Sequence, residues 1–205
     1  MALPKLVILI SGNGSNLQAF IDAIEKGDLK AEIQVVISNK KSAYGLERAA
    51  KANIPTFVFP LKPYKDAGKT RVEYDVDLAN IIKEKYNPDL IVLAGWMHIL
   101  SAEFIDILPG KIINLHPALP GQFDGTHAIQ RAYKAFMEGK IPHTGVMVHK
   151  VIPQVDRGET ILTRVVPIYK EDTEDTLEER IHSVEHEIIV EGAKVFLKNK
   201  NLYED

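Results

Sequence analysis

The sequence predicts an α/β fold: a Rossmann-like, mostly parallel central sheet with helices on both faces and a mixed or antiparallel C-terminal extension. Three observations predict it. Strand-like and helix-like segments alternate from the N-terminus, the signature of right-handed parallel crossovers. The early strand-like runs are apolar throughout, as strands covered on both faces are. From His143 onward apolar and polar residues alternate instead, as in antiparallel or mixed strands.

The elements follow in order. Lys5 to Ile10 is a continuous apolar run and reads as a buried strand. Ser11 to Asn16 is a Gly-rich turn. Leu17 to Lys26 is a helix with Leu17, Phe20, Ile21 and Ile24 on one side, ended by Gly27. Ile33 to Ser38 is a second buried strand, Ala43 to Ala52 a second helix and Thr56 to Phe59 a third strand. Pro60 to Gly68 reads as a loop. Thr70 to Tyr86 is a long helix stopped by Asn87-Pro88. Asp89 to Ala94 is the clearest buried strand, followed by the loop Gly95 to Leu100. Ser101 caps a short helix. Lys111 to His116 is a strand, and Pro117 to Thr126 a loop with two prolines and two glycines. Ala128 to Glu138 is a helix, Thr160 to Ile168 is β-rich, and Thr176 to Asn199 is a long amphipathic helix. No linker divides the chain. One domain over 1–205 is expected, with a Rossmann-like half over 1–100 and a second half over 101–205.

Composition narrows the function. Apolar residues at 45% and charged residues at 26% suit a globular protein that is soluble and cytoplasmic. A net charge of −3 gives no basic footprint for nucleic acid. The absence of cysteine excludes disulfides, thiolate metal sites and a cysteine nucleophile. No apolar run approaches the length of a membrane span, and the start lacks a cationic signal region.

Two segments carry chemistry. Ser11-Gly12-Asn13-Gly14-Ser15-Asn16 joins a buried strand to a helix, where backbone N–H groups can cradle an anion. Leu17 stands where a dinucleotide fingerprint needs its third glycine, and no P-loop lysine follows. A single phosphate group therefore fits better than NAD or ATP. A tight turn with a Ser or Asn cap is the plainer alternative. The second segment is Ile113-Asn114-Leu115-His116-Pro117, with Asp156 later in the chain. Residues two apart on a strand share a face. A neutral Asn donor and a His that shuttles protons can polarise a carbonyl, and an Asp can hold that His and raise its pKa. Each residue alone also has an ordinary structural reading. Their position at the carboxyl end of a strand, like that of the Gly-rich turn, favours a shared crevice.

The remaining histidines are weaker candidates. His127 starts a helix and can face an anion or simply cap it. His149 reads as a packed strand residue. His182 and His186 lie one helical turn apart but lack a zinc motif and read as a solvated face. No metal site is expected.

At these residues the chain resembles the phosphoribosylglycinamide formyltransferases, folate-dependent enzymes of purine synthesis. The resemblance rests on Ile10 to Gln18, Ser38-Asn39-Lys40, Leu93 to Met97, Ile113 to Pro117 and Val155-Asp156-Arg157-Gly158. It implies transfer of the formyl group of 10-formyltetrahydrofolate, a co-substrate, to the amine of glycinamide ribonucleotide by a monomer or weak homodimer. Asn114, His116 and Asp156 would be catalytic. Gly14, Ser15, Asn16 and Glu185 would hold the ribotide. Arg71, Met97, His98, Ile99 and Leu100, with Asn114 and Ile152, Pro153, Gln154, Val155 and Asp156, would line the folate. His98 replaces the arginine usual at that position, which alters how the outer folate is held. Ala118 to Gly125 also departs from the usual Ser-Leu-Leu-Pro pattern. A deformylase, a methionyl-tRNA formyltransferase and a non-catalytic sensor on the same fold stand as alternatives. The first two normally carry extra domains, and a sensor has no need of a proton relay.

Overall fold

The computed structural model describes residues 1–205. Seven strands form one sheet in the order β3-β2-β1-β4-β5-β6-β7. They are β1 (Lys5–Ile10), β2 (Glu32–Ser38), β3 (Thr56–Val58), β4 (Leu90–Leu93), β5 (Ile112–His116), β6 (His143–Lys150) and β7 (Thr160–Pro167). The first five run parallel. The last two are antiparallel additions.

Apolar runs become two-sided strands here because each residue has a helical layer to bury against. Leu6, Ile8 and Ile10 of β1 enter one core with helices α1 (Ser15–Lys26), α2 (Gly45–Lys51), α6 (Ala128–Met137) and α7 (Glu174–Asn199). Val7 and Leu9, pointing the other way, enter a second core with α4 (Arg71–Ile81) and α5 (Ala102–Ile107). The strand period of two thus splits one sequence run between two cores.

Helix ends follow local chemistry. Gly27 closes α1 in a left-handed conformation, with its N–H on the carbonyls of Ala23 and Ile24. Thr70 and Glu73 form a reciprocal capping box at α4. Thr173 and Thr176 do the same at α7, so that helix starts at Glu174, two residues before the position expected from the apolar spacing.

Two expected elements differ. The Pro60–Gly68 loop contains a short helix, α3 (Lys62–Asp66), with Pro63 in its first turn, where a missing N–H costs nothing. The helix expected from Thr70 to Tyr86 is α-helical only to Ile81 and ends in a π-helical turn over Ile82–Tyr86. Asn87, at φ 42°, terminates it just before Pro88.

The connectivity locates the cleft. The chain leaves β1 toward β2 and β3, then returns to place β4 on the opposite side of β1. That reversal is a topological switch point, where α/β sheets bind ligands beyond the carboxyl ends of their strands. The Gly-rich turn follows β1, the Gly95–Leu100 loop follows β4, and Asn114 and His116 end β5.

Candidate active site

Strand β5 sets Asn114 and His116 on the same face, with Leu115 turned to the other core. Asn114 is paired across the sheet with Leu93 on one side and His149 on the other. The loop after β6 then returns Asp156 to the same place. The Asp156 carboxylate lies 3.4 Å from His116 Nδ1 and 3.4 Å from His149 Nε2. The Gly125 N–H donates to it at 2.8 Å. Asp156 adopts φ 57°, a left-handed conformation that Asp tolerates better than most residues.

These contacts set its charge. Burial works to raise the Asp156 carboxyl. The His149 hydrogen bond, the Gly125 N–H and the two imidazoles outweigh burial and hold it below the ordinary carboxylate range. Asp156 is therefore ionised at neutral pH.

His116 is 3% exposed. Its Nε2 lies 3.0 Å from the Gln122 carbonyl. Both ring nitrogens thus face acceptors, an arrangement that only the imidazolium satisfies with two donated hydrogens. The loop carrying Gln122 is fastened by Arg131, which donates to the carbonyls of Phe123 and Asp124 at 2.6 and 2.7 Å, and by Arg157, whose Nε meets Asp124 Oδ2 at 2.5 Å. His116, Asp124 and Asp156 have ligand-type atoms within 4.8 Å of one another. Arg157 already balances Asp124, and His116 already faces Asp156, so ion pairing accounts for the group.

A cleft of about 360 Å³ opens on this centre. Met97, His98, Ile99 and Leu100 line one wall, and Ile152, Pro153, Val155 and Asp156 another. Met97 and Ile99 are 56% and 61% exposed, an apolar surface available to a flat ring system. Of the residues expected on the folate side, Gln154 and Arg71 do not line the cleft. Arg71 acts behind it. Its guanidinium donates to the Ile99 carbonyl and lies 3.3 Å from the buried Asp75, which accepts from the Ser101 N–H at 2.8 Å. Asp75, which the sequence reading passed over, thus helps fix the loop after β4. Its only sequence signal is a charge on the buried face of a helix.

His98 does not replace the usual arginine as a cation. Its Nε2 lies 3.1 Å from Asn39 Nδ2, and its ring stands edge-on to Tyr74 and Trp96. Burial, then the charge of Arg71, pushes its pKa down, so it is neutral.

Asn16 and Glu185 line the far end of the same cleft. Glu185 is 8% exposed, and burial pushes its pKa up to about 7 against a partial opposing hydrogen bond from Asn16. Ser15 faces a neighbouring depression with Arg48 and His186 instead. Gly14, at φ 77°, lets the turn pass close to α2: a Cβ there would lie 2.7 Å from Gly45 Cα. Arg48 braces the turn, with Nε 2.8 Å from the Asn13 carbonyl and Nη2 2.7 Å from Asn13 Oδ1. Ser11 Oγ accepts from the Met97 N–H at 2.9 Å, tying the two loops together. His127 is exposed, lies outside the cleft, and makes no side-chain cap to its helix. His182 is exposed as expected, whereas the Nε2 of His186 is buried without a partner.

This geometry defines an α/β protein with its ligand cleft at the switch point and no covalent nucleophile among the central side chains. Residues 4–192 match the Formyl transferase family. Two relatives named phosphoribosylglycinamide formyltransferase, from Dictyostelium discoideum and Schizosaccharomyces pombe, are each 56% identical over 93% and 92% of the chain and 97% and 94% of their own lengths. The structure of the phosphoribosylglycinamide formyltransferase from Coxiella burnetii in complex with CHES is 38% identical, with a TM-score of 0.86 over 100% of this chain and 92% of that one. The chain belongs to the phosphoribosylglycinamide formyltransferase family. No helix in it is long and apolar enough to cross a membrane.

Proposed function

We propose that the cleft transfers the formyl group of 10-formyltetrahydrofolate to the amine of 5′-phosphoribosylglycinamide, a step of purine synthesis, and that Asn114, His116 and Asp156 carry the chemistry. The observation that carries the residue assignment is the ionised Asp156 carboxylate within 3.4 Å of His116, beside Asn114 and at the mouth of an apolar-walled cleft.

The ribotide phosphate sits on the turn formed by Gly14, Ser15 and Asn16, and Glu185 faces its glycinamide end. The pteridine and its formyl-bearing N10 lie between the wall from Met97 to Leu100 and the wall from Ile152 to Asp156. The two halves of the chain then divide the labour: 1–100 holds the phosphate, and 101–205 carries the transfer and most of the folate contact.

The neutral amine attacks the formyl carbon, forming a C–N bond as the carbonyl π electrons move to oxygen. Asn114 Nδ2–H and the His116 imidazolium donate to that oxyanion, with the oxygen taking the place that the Gln122 carbonyl holds against His116 Nε2. The attacking nitrogen gives up one proton, which an ordered water beside Asp156 passes toward N10. The intermediate collapses with cleavage of the bond from the formyl carbon to N10. The products are the N-formylated ribotide and tetrahydrofolate, and His116 and Asp156 end as they began. Holding both substrates in contact supplies much of the rate.

A spectrophotometric transfer assay with a 10-formyl folate analogue tests the reading. Turnover should require the ribotide. Equal folate turnover without it would mean hydrolysis and would overturn the reading.

A further inference from the structure

His149 does more than fill β6. It is 2% exposed, lines the cleft, and stands directly across the sheet from Asn114. Directly opposed residues of an antiparallel pair hold their side chains within contact distance on one face. The ladder between β6 and β7 shifts register between Val148 and His149. Such bulges re-aim side chains beside functional sites.

The hydrogen bonds settle which proton the ring carries. His149 Nδ1 lies 2.9 Å from the Lys150 carbonyl, which can only accept, so Nδ1 bears hydrogen. The other nitrogen, Nε2, lies 3.5 Å from Asn114 Nδ2 and 3.4 Å from Asp156 Oδ1. A neutral ring accepts from Asn114 there. A protonated ring donates to Asp156. Asp156 is thus flanked by two imidazoles, His149 and His116, each anchored at its outer nitrogen by a backbone carbonyl.

We propose that His149 is a positioning residue for the formyl transfer: its Nε2–H donates to Asp156 Oδ1 and holds that carboxylate in line with His116. The inference rests on the roles proposed above for His116 and Asp156. The groups that face this centre are His116 from β5, the Gly125 N–H and Asp124 from the loop after β5, and Arg157 on Asp124.

Two variants of the full chain separate position from bulk. In His149→Asn the amide nitrogen replaces Nδ1 and nothing replaces Nε2. In His149→Gln the amide nitrogen replaces Nε2. We expect kcat to fall ~10²-fold in the Asn variant, the scale of a misplaced reacting group, with both Michaelis constants unchanged. We expect the Gln variant to keep kcat within ~10-fold of the parent, since a donor in the right place is most of what positioning requires. A carboxyl ¹³C titration should show Asp156 moving to higher pH in the Asn variant and staying near the parent in the Gln variant. If the Asn variant does not fold, the Gln variant decides alone: retained kcat and an unmoved Asp156 titration support the proposal, and loss of either overturns it. Equal losses in both variants, or a parent-like Asn variant, also overturn it. Asn114→Ala and Asp156→Asn run alongside. If they too keep full turnover, the proposed function of those residues fails. If they lose it while His149→Asn does not, only the role of His149 fails.

Discussion

His116 Nδ1 and the Asp156 carboxylate stand 3.4 Å apart, both in protected positions, although one ends a strand and the other sits in a loop two elements later. β6 runs antiparallel to β5, with Met147 opposite His116 and Lys150 opposite Ile113, and the loop after it folds back so that Asp156 reaches both His149 and His116. The antiparallel pairing of β5 with β6, visible in the sequence as a change of hydrophobic pattern near His143, sets His149 beside Asn114, and the returning loop adds Asp156.

Removing the oxyanion donors should reduce turnover without unfolding the chain. Asn114→Ala and His116→Ala are each expected to lose ~10²–10³ in kcat, the usual effect of one such donor. Steady-state kinetics on folded variants checks this, and near-parental rates in either would remove that residue from the mechanism.

Asp156→Asn should show its effect on stability as well as on rate. The folded-state pKa of Asp156 is depressed, so ionisation stabilises the fold above the unfolded-state pKa, near 3.9 for Asp in general, and that contribution fades as pH falls through the lower folded value. The parent should therefore exceed the Asn variant in stability at neutral pH, and the gap should narrow in acid. Chemical denaturation at several pH values measures it. A gap that does not depend on pH would mean that the charge of Asp156 is not what the site uses.

Much of this was legible in the sequence, and the gaps have physical causes. The parallel core was readable because each early strand is buried on both faces and so is apolar along its whole length. Asn114, His116 and the Gly-rich turn stood out because polar residues at the end of such a run have no packing role. His149 did not stand out. Its apolar neighbours make it look like one more inward-facing strand residue, and only the pairing of β5 with β6 reveals that inward means toward Asp156. Asp75 and Arg48 were missed for a related reason: each acts on a loop remote in sequence, through contacts that no local spacing encodes. The π-helical turn before Asn87 was hidden because its residues suit an ordinary helix equally well.

Glu185 gives a prediction of opposite sign to Asp156. Burial raises its pKa from 4.5 to about 7, so the folded state binds the proton more tightly and stability falls as pH rises between those values. Glu185→Gln should remove the penalty. The variant should match the parent below the lower value and exceed it above the upper one, by an amount on the order of 3 kcal/mol. It should also weaken the ribotide, raising that Michaelis constant while leaving the folate constant alone. Thermal unfolding across that pH range, with kinetics on both substrates, tests the pair of effects. A variant less stable than the parent at high pH would contradict the assignment.

Arg48→Met tests the phosphate turn. Arg48 holds Asn13 through both its backbone and side-chain oxygens and has no carboxylate partner, so its loss frees the turn and removes a positive charge nearby. The ribotide Michaelis constant should rise about tenfold, a loss of ~1.4 kcal/mol within the range of a charge-assisted hydrogen bond. The folate constant should stay put. Equal changes in both constants would show that Arg48 supports the whole cleft rather than the turn.

Gly158→Ala asks how the Asp156 loop is held. A Cβ at residue 158 would lie 1.6 Å from the Lys150 carbonyl oxygen and 3.6 Å from His149 Nδ1. The first distance is far inside van der Waals contact, and the obstacle is backbone, so the strand end or the loop must move. Lys150 is the residue whose carbonyl anchors His149, and its N–H donates to the Glu159 carbonyl of this loop at 2.8 Å. Moving either segment displaces His149 and Asp156 together. The variant should therefore lose several kcal/mol of stability, as steric insertion against backbone does. Whatever folds should show reduced kcat with the phosphate side intact, because the Gly-rich turn lies across the sheet on β1. Denaturation and ribotide binding by calorimetry distinguish the two ends: an unaltered kcat in a folded variant would mean that the loop reaches its catalytic position without the tight passage at Gly158.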